Sequence, residues 1–314
     1  MRFRSILLLA LPGLAAACQP ALEPGPQVDL VASARLSTAN RLLTTPGDTV
    51  ATGMLARADG DSPLKQVRIT VEYSPIPEPL DPLFYNTYPD LTKAPKTTLV
   101  YLDSTVSALS ELYFQSVHGI RTTAGVETWS YMATDTEGRT GKSSQRLRLG
   151  RTDSAAVFHN YTATLEAPGA LGRRRFLALR EGFVLPSFSL RNQPANQQLI
   201  DLVFRPERGT AAPTLSTPAD DSLGLASKWP QRLATLIRRT ALTKSDFQAA
   251  GTAANFTAAY NGGTNFARPA NTGPLAKDQV VAFLTPEGKY GLLYVEEIIT
   301  TGTRSIRVQV RVGK

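Results

Sequence analysis

Apolar and polar side chains alternate with a period of two through much of this chain. Val67, Ile69, Val71 and Tyr73 alternate with Arg68, Thr70 and Glu72, the pattern of a half-buried strand. Thr98 to Leu102, Leu112 to Val117 and Val126 to Met132 read as further strands, and Ser144 to Leu149 alternates again. Asp59-Gly60-Asp61 and Glu137-Gly138 punctuate these runs as turns. Five or six short strands in about 100 residues predict an antiparallel sandwich over residues 46–150.

Gly150 to Ser154 forms a polar joint, and a second, β-rich domain is expected over residues 155–314. Phe158 to Leu165, Gly182 to Leu185 and Leu199 to Phe204 are strand candidates. Lys228 to Thr240 carries Trp229, Leu233, Leu236 and Ile237 at helical spacing and predicts a short helix. Ser245-Asp246-Phe247 looks like a capped helix start, and Gly251 to Gly273 is expected to be a long loop. The end is the clearest part. Strands at Gln279 to Leu284, Tyr290 to Ile299 and Ile306 to Val312 predict a three-stranded meander. The fold class is therefore mainly β, with one or two short helices.

The first residues follow a different logic. Arg2 and Arg4 precede an apolar run from Ser5 to Leu11, and small residues lead to Cys18. This is the layout of a secretory signal over residues 1–17, and its apolar run is too short to span a bilayer. Ending on cysteine, it resembles the lipobox of bacterial lipoproteins, although Ala15 stands where leucine is usual and Leu14 lies one place further back. The resemblance implies cleavage before Cys18 and lipidation of that cysteine. An ordinary signal cut after Ala17 is the alternative. Cys18 is the chain's single cysteine, which rules out an intramolecular disulfide and leaves its presence to be explained by modification or a partner. Residues 18–45, rich in Pro, Ala, Ser and Thr, are expected to form a flexible tether.

Two further resemblances extend along the chain. Gly125 to Gly138 followed by a closing strand, with Pro46 to Val50 as an opening, is similar to bacterial immunoglobulin-like modules. That likeness implies a fold and no function. The order Ile200 to Phe204, Thr217 to Asp220, Trp229, Thr240, Asp246-Phe247 and Val281 to Val295 resembles Bacteroidota cell-envelope lipoproteins, which pair such a module with a β-rich domain of no assigned chemistry. It implies an outer-membrane location, with which Gln19 is compatible. Four Asp-Ser/Thr sites, at Asp48, Asp103, Asp153 and Asp221, match the pattern such bacteria O-glycosylate.

Composition changes little in this picture. The 314 residues are 42% hydrophobic and 19% charged, an ordinary globular mix. The formal charge of +8 falls to +6 once Arg2 and Arg4 are removed, and reads as spread along the chain. Its densest clusters, Arg173 to Arg175 and Arg238-Arg239, are too short for a nucleic-acid surface, so no nucleic-acid partner is expected.

Chemistry is sparse. His118 and His159 lack partners at zinc-ligand spacing, and no serine-nucleophile or phosphate-loop motif occurs. Adjacent Glu296 and Glu297 should point to opposite faces of a strand and so cannot flank a sugar ring. Asp220 and Asp221 read as a solvated turn, and Asp59-Gly60-Asp61 has too few oxygen ligands for calcium. No catalytic residue, metal or cofactor is expected. The better lead is aromatic: Phe84, Tyr85 and Tyr88 lie in a proline-rich insertion, residues 75–95, without strand or helix periodicity. Exposed, they suit a glycan or a protein partner; folded back, they cap the sandwich. Trp129 and Trp229 are expected in the core. The resulting expectation is a non-enzymatic, lipid-anchored envelope protein with a binding or structural role. The alternative is a glycan-binding accessory to polysaccharide uptake, and a hydrolase with scattered carboxylates ranks behind both.

Overall fold

The computed structural model describes residues 24–45, 48–76, 78, 94, 96–121, 123–150, 157–207, 209–210 and 212–314. Its first half is a sandwich. One sheet has the order β1 (Gln27–Val31), β3 (Thr49–Arg57), β6 (Glu111–Gly119). The facing sheet runs β2 (Arg41–Leu43), β8 (Thr140–Leu149), β7 (Gly125–Asp135), β4 (Leu64–Ser74), β5 (Thr97–Leu109). All pairs are antiparallel except β2 with β8. This is an immunoglobulin-like arrangement, with a short parallel strand added beside the last one. Inward alternation is strict: Val67, Ile69 and Val71 are almost wholly buried, as are Trp129, Tyr131 and Ala133 opposite them.

Residues 27–31 and 41–43 correct the expectation of a flexible tether, because they supply β1 and β2. Val28 and Leu43 are buried in the sandwich core, and Leu30 packs against it. Reading 18–45 by composition hid the alternation of Gln27, Val28, Asp29 and Leu30. Gly141 lets the entering chain lie against β8, since a Cβ there would fall 1.7 Å from the Pro26 carbonyl oxygen.

The second half is two stacked sheets. A four-stranded sheet has the order β11 (Phe183–Pro186), β10 (Arg174–Ala178), β12 (Leu202–Pro206), β13 (Pro213–Ser216). A six-stranded sheet runs β15 (Thr264–Asn265), β14 (Leu236–Arg239), β16 (Val280–Leu284), β17 (Tyr290–Ile299), β18 (Ser305–Gly313), β9 (Phe158–Glu166). The four-stranded sheet is buried on both faces, so its strands are continuously apolar at their centres. Leu177, Leu202 and Phe204 meet the six-stranded sheet. Phe176, Ala178, Phe183, Leu185 and Val203 join the core of the sandwich instead. The two halves thus share one hydrophobic core.

Small elements close the remaining faces. A 3-10 turn at Ser187–Ser189 and helix α1 (Pro194–Gln197) cover edge strand β5: the Ser189 hydroxyl donates to the Tyr101 carbonyl, and Asn196 Nδ2 donates to the Val100 carbonyl at 2.7 Å. Such cover protects a strand edge from foreign pairing. Helix α2 (Lys244–Ala249) and helix α3 (Ala253–Gly262) lie over β16 and β17, with Phe247, Phe256 and Tyr260 in a third apolar cluster.

Two helix expectations are corrected. Lys228 to Thr240 is not a helix; it passes irregularly to β14, where Ile237 is buried opposite Phe283 while Leu236 is 49% exposed. Sheet pairing overrode the helical spacing there. Gly251 to Gly273 is not all loop, because Thr252 and Asn255 form a reciprocal capping box that starts α3. The capped start near Ser245 is present, with Thr243 as cap and Asp246 as its reciprocal partner. The terminal meander forms as the alternation requires.

Backbone strain is local. Ala108, one residue before the end of β5, has φ +44°. A left-handed conformation costs an L-residue about 1–2 kcal/mol, a cost glycine avoids. Ala108→Gly is therefore expected to raise unfolding stability by about 1 kcal/mol, the greater backbone entropy of glycine in the unfolded chain offsetting part of the gain. Urea denaturation of the two proteins checks it; a loss of stability would contradict the strain argument.

Candidate functional site

Two edge strands from different sheets face each other where the halves meet. β6 ends the three-stranded sheet and β9 ends the six-stranded one. Between them runs a crevice, which Arg174 at the start of β10 divides into two clefts of about 350 Å³ each. One cleft is walled by Thr45, Asp48, Thr49, Thr162, Thr164, Arg174 and Arg307, with Ala163 and Val184 adding apolar surface. The other adds aromatic rings: Tyr101 and Phe188 line it with Val117, Gln115, Glu166, Arg173 and Arg174.

Alternation along β9 explains the wall. Tyr161, Ala163 and Leu165 are buried in the core, which turns Thr162, Thr164 and Glu166 the other way. Arg307 stands opposite Thr164 in register. Both arginines are charge-compensated: Arg174 lies 3.7 Å from Glu166, whose other oxygen accepts the Arg174 backbone N–H at 3.0 Å, and Arg307 Nε lies 2.9 Å from Glu296. Each pair offers donors and acceptors side by side with little net charge.

Three β-bulges border this crevice, and bulges re-aim side chains. Tyr101 is the extra residue of β5 between Val100 and Leu102. Register also slips between Arg174 and Phe176, and again at Glu296. The last bulge corrects the expectation for the adjacent glutamates. Glu296 and Glu297 both oppose Arg307, while flanking Val295 and Ile298 face one common core. Glu296 is tied to Arg307 and accepts from Gln309 Nε2 at 3.2 Å.

Behind the crevice lies an aromatic wall. His118 stacks on Trp129 at 3.6 Å, and Tyr101 meets both rings edge-on. Burial, with Arg174 next, pushes the His118 pKa down to about 3, so the imidazole is neutral at physiological pH. Trp129 Nε1 donates to Glu127 at 3.0 Å, and Arg121 Nε lies 3.6 Å from the same carboxylate. The Arg121 guanidinium rests between the rings of Tyr73 and Phe183, at 4.5 and 4.6 Å. These groups hold the halves together, and Tyr101 among them also lines the crevice.

Asp201 is a second buried acid, at the start of β12. It accepts from the Leu179 N–H and the Thr235 hydroxyl, both at 2.8 Å. Burial outweighs those bonds and pushes its pKa up to about 7. An unfolded aspartate titrates near 3.9, so the native state holds a proton that the unfolded chain has lost between those values. Stability from this group is present in full below about pH 4 and is lost as pH rises toward 7, by a few kcal/mol in all. Asp201→Asn is expected to flatten that slope in denaturation curves taken from pH 4 to 8; an unchanged slope would assign it to other groups.

The residues singled out from sequence are scattered. Cys18, Phe84, Tyr85 and Tyr88 lie outside the described residues. Trp129 and Trp229 are core residues, and both histidines are buried. Asp221 pairs with Arg232 at 2.9 Å, and Asp59 faces Arg139 at 3.8 Å. Among the described residues no group of three His, Cys, Asp or Glu side chains could hold a metal. The crevice residues were not found from sequence, although Arg173 to Arg175 marked its place. Nor is the positive charge spread evenly: residues 155–314 hold 19 basic against 11 acidic side chains, the preceding residues 15 against 15.

No known family and no curated protein matches the chain. Among solved structures, the sporulation control protein Spo0M from Bacillus subtilis is similar at 11% identity over 66% of this chain and 84% of its own, with a TM-score of 0.25. The PmoD soluble domain from Methylocystis sp. ATCC 49242 (Rockwell) is similar at 15% identity over 40% of this chain and 90% of its own, with a TM-score of 0.19. Likeness that low bears on neither fold nor chemistry.

Proposed function

We propose that this chain is a non-enzymatic, lipid-anchored protein of the cell envelope, of the Bacteroidota type, that works as a binding or interaction module. Its lipid is carried on Cys18, and its contact site is the crevice around Arg174. The observation that supports this reading is the crevice itself, which both halves wall and a shared core holds open. A preformed concave site with a few convergent polar groups is what a binding protein needs. The anchor is tested by Cys18→Ser, which is expected to move the protein from the membrane fraction to the soluble one; retention on the membrane would sink it.

A second reading is glycan capture, and the lining favours it. Threonine hydroxyls and charge-compensated Arg–Glu pairs both donate and accept, as the hydroxyls of a neutral sugar require, and Phe188 offers an apolar face. A glycan array and polysaccharide pulldown on protein lacking residues 1–18 tests it. The comparison sets Thr164→Val/Arg307→Gln beside the Phe84/Tyr85/Tyr88→Ala triple variant. Binding lost only in the first places capture in the crevice, and lost only in the second places it in the insertion. No binding by any of the proteins leaves the structural or protein-partner role.

A further inference from the structure

A separate cavity of about 350 Å³ opens at the end of β12. Arg205, Glu207, Thr214, Ser222, Arg268 and Asn271 wall it. Its two arginines are unlike the arginines of the crevice and of the sandwich core, which are ion-paired. Arg57, Arg121, Arg139, Arg174, Arg232 and Arg307 each face a carboxylate within 4 Å. Among the described residues Arg205 and Arg268 face none, Arg205 donates only to the Ser222 carbonyl, at 2.6 Å, and Arg268 makes no side-chain hydrogen bond.

The backbone beneath them is fixed. Arg268 begins a tight turn that Asn271 closes, and Asn271 is pinned by Nδ2 donating to Ser216 at 2.7 Å and Asp220 at 3.1 Å. Thr272 stitches the same turn to Leu215 of β13. Ser222, which orients Arg205, sits in a 3-10 turn (Asp221–Leu223) that Asp220 caps through the Ser222 N–H at 3.0 Å. The nearby acids are engaged: Asp220 in those bonds, and Glu207 by the Thr210 hydroxyl at 2.8 Å. Arg175, half-buried at its bulge with Nε lacking a partner, adds a third guanidinium near Arg205. Cations held together on a rigid frame repel one another, and an anion between them removes the repulsion.

We propose that this pocket binds an oxyanion, a carboxylate, phosphate or sulfate group, between the guanidiniums of Arg205 and Arg268. Planar guanidiniums meet such groups in bidentate fashion, and Ser222 and Thr214 supply neutral walls. The charge excess of residues 155–314 favours the same class of ligand. Glu207 across the cavity suits a ligand that carries a hydroxyl or amine beside its anionic group.

The test is calorimetric titration of the mature chain at 0.15 M salt, about the physiological ionic strength, with inorganic phosphate, sulfate, D-glucuronate and D-glucose. One saturable site is expected for at least one oxyanion and none for glucose. Phosphate or sulfate without glucuronate would identify an inorganic or ester group, and glucuronate alone an acidic saccharide; either supports the site. Arg268→Gln, on an exposed side chain, is expected to weaken binding at least about tenfold, as the loss of one charge-assisted pair should. Arg205→Gln should do the same, and Arg57→Gln, on the sandwich, should leave binding unchanged. Absence of saturable oxyanion binding, or binding that Arg268→Gln leaves intact in a protein with an unaltered melting curve, overturns the proposal. Neither result touches the crevice, whose variants are read separately.

Discussion

Arg121→Met is expected to lower unfolding stability by about 3–5 kcal/mol, because it strips a buried carboxylate of its cation. Glu127 is fully buried, and Arg121 is 11% exposed beside it. The pair is held by more than Coulomb attraction. The Arg121 backbone N–H also donates to Glu127 at 3.4 Å, and Trp129 Nε1 donates from the other side. Burial pushes the Glu127 carboxyl up, and Arg121 is the largest influence opposing that rise. Without the guanidinium the carboxyl rises further, so the native state of the variant keeps a proton that the unfolded chain releases above about pH 4. The deficit should therefore deepen as pH rises, and be larger at pH 8 than at pH 5. Adding Glu127→Gln should recover part of the loss, since the amide oxygen can still accept from Trp129. Urea denaturation at both pH values checks the prediction; a loss under about 1 kcal/mol that ignores pH would mean that the pair contributes little beyond packing.

Trp129→Ala is the second large effect, at about 3–5 kcal/mol for a buried aromatic removed from a packed core. Trp129 is 2% exposed, supports the His118 ring by stacking and supports Tyr101 edge-on. Its loss opens a cavity and takes a donor from Glu127 at once. Trp129→Phe should cost less, because most of the ring contact survives while the donor does not. The form of the transition is as telling as its midpoint. The core around Trp129 contains Phe176, Phe183 and Trp229 from the second half of the chain, so both halves should unfold together in one transition. Two separated transitions, read by tryptophan fluorescence and circular dichroism, would show that the shared core does not couple them.

Much of the fold was legible because strand periodicity is a local signal. Residues 67–71, 129–135 and 306–312 each alternate strictly, and each lies in a sheet with one face toward a core. Of the central strands of the four-stranded sheet, β12 was legible only as an apolar run and β10 was not found, since burial on both faces erases alternation. Short elements failed for the opposite reason. β1 and β2 are five and three residues long, and their pairing with β3 and β8 comes from parts of the chain that composition alone does not connect. The apolar spacing from Trp229 to Ile237 fitted a helix as well as a strand until contact with β16 decided it.

The candidate site was the least legible part. Thr162, Thr164, Arg174 and Arg307 are ordinary surface residues in sequence, and they become a crevice only when two sheet edges meet. The adjacent glutamates show the same limit from another side. Period-two alternation separates Glu296 from Glu297, and a one-residue bulge puts them on the same side.

The sequence by itself therefore determined where most of the longer strands run, which of their faces are apolar, and that the protein is mainly β, because those properties depend on neighbours within a few residues. Only the tertiary structure decided that the two halves share a core, that Arg121 and Glu127 are buried together, and that Arg205 and Arg268 line one cavity without an ion-pair partner among the described residues. Those features depend on contacts between residues far apart in the chain, and on bulges whose energy is set by what packs against them.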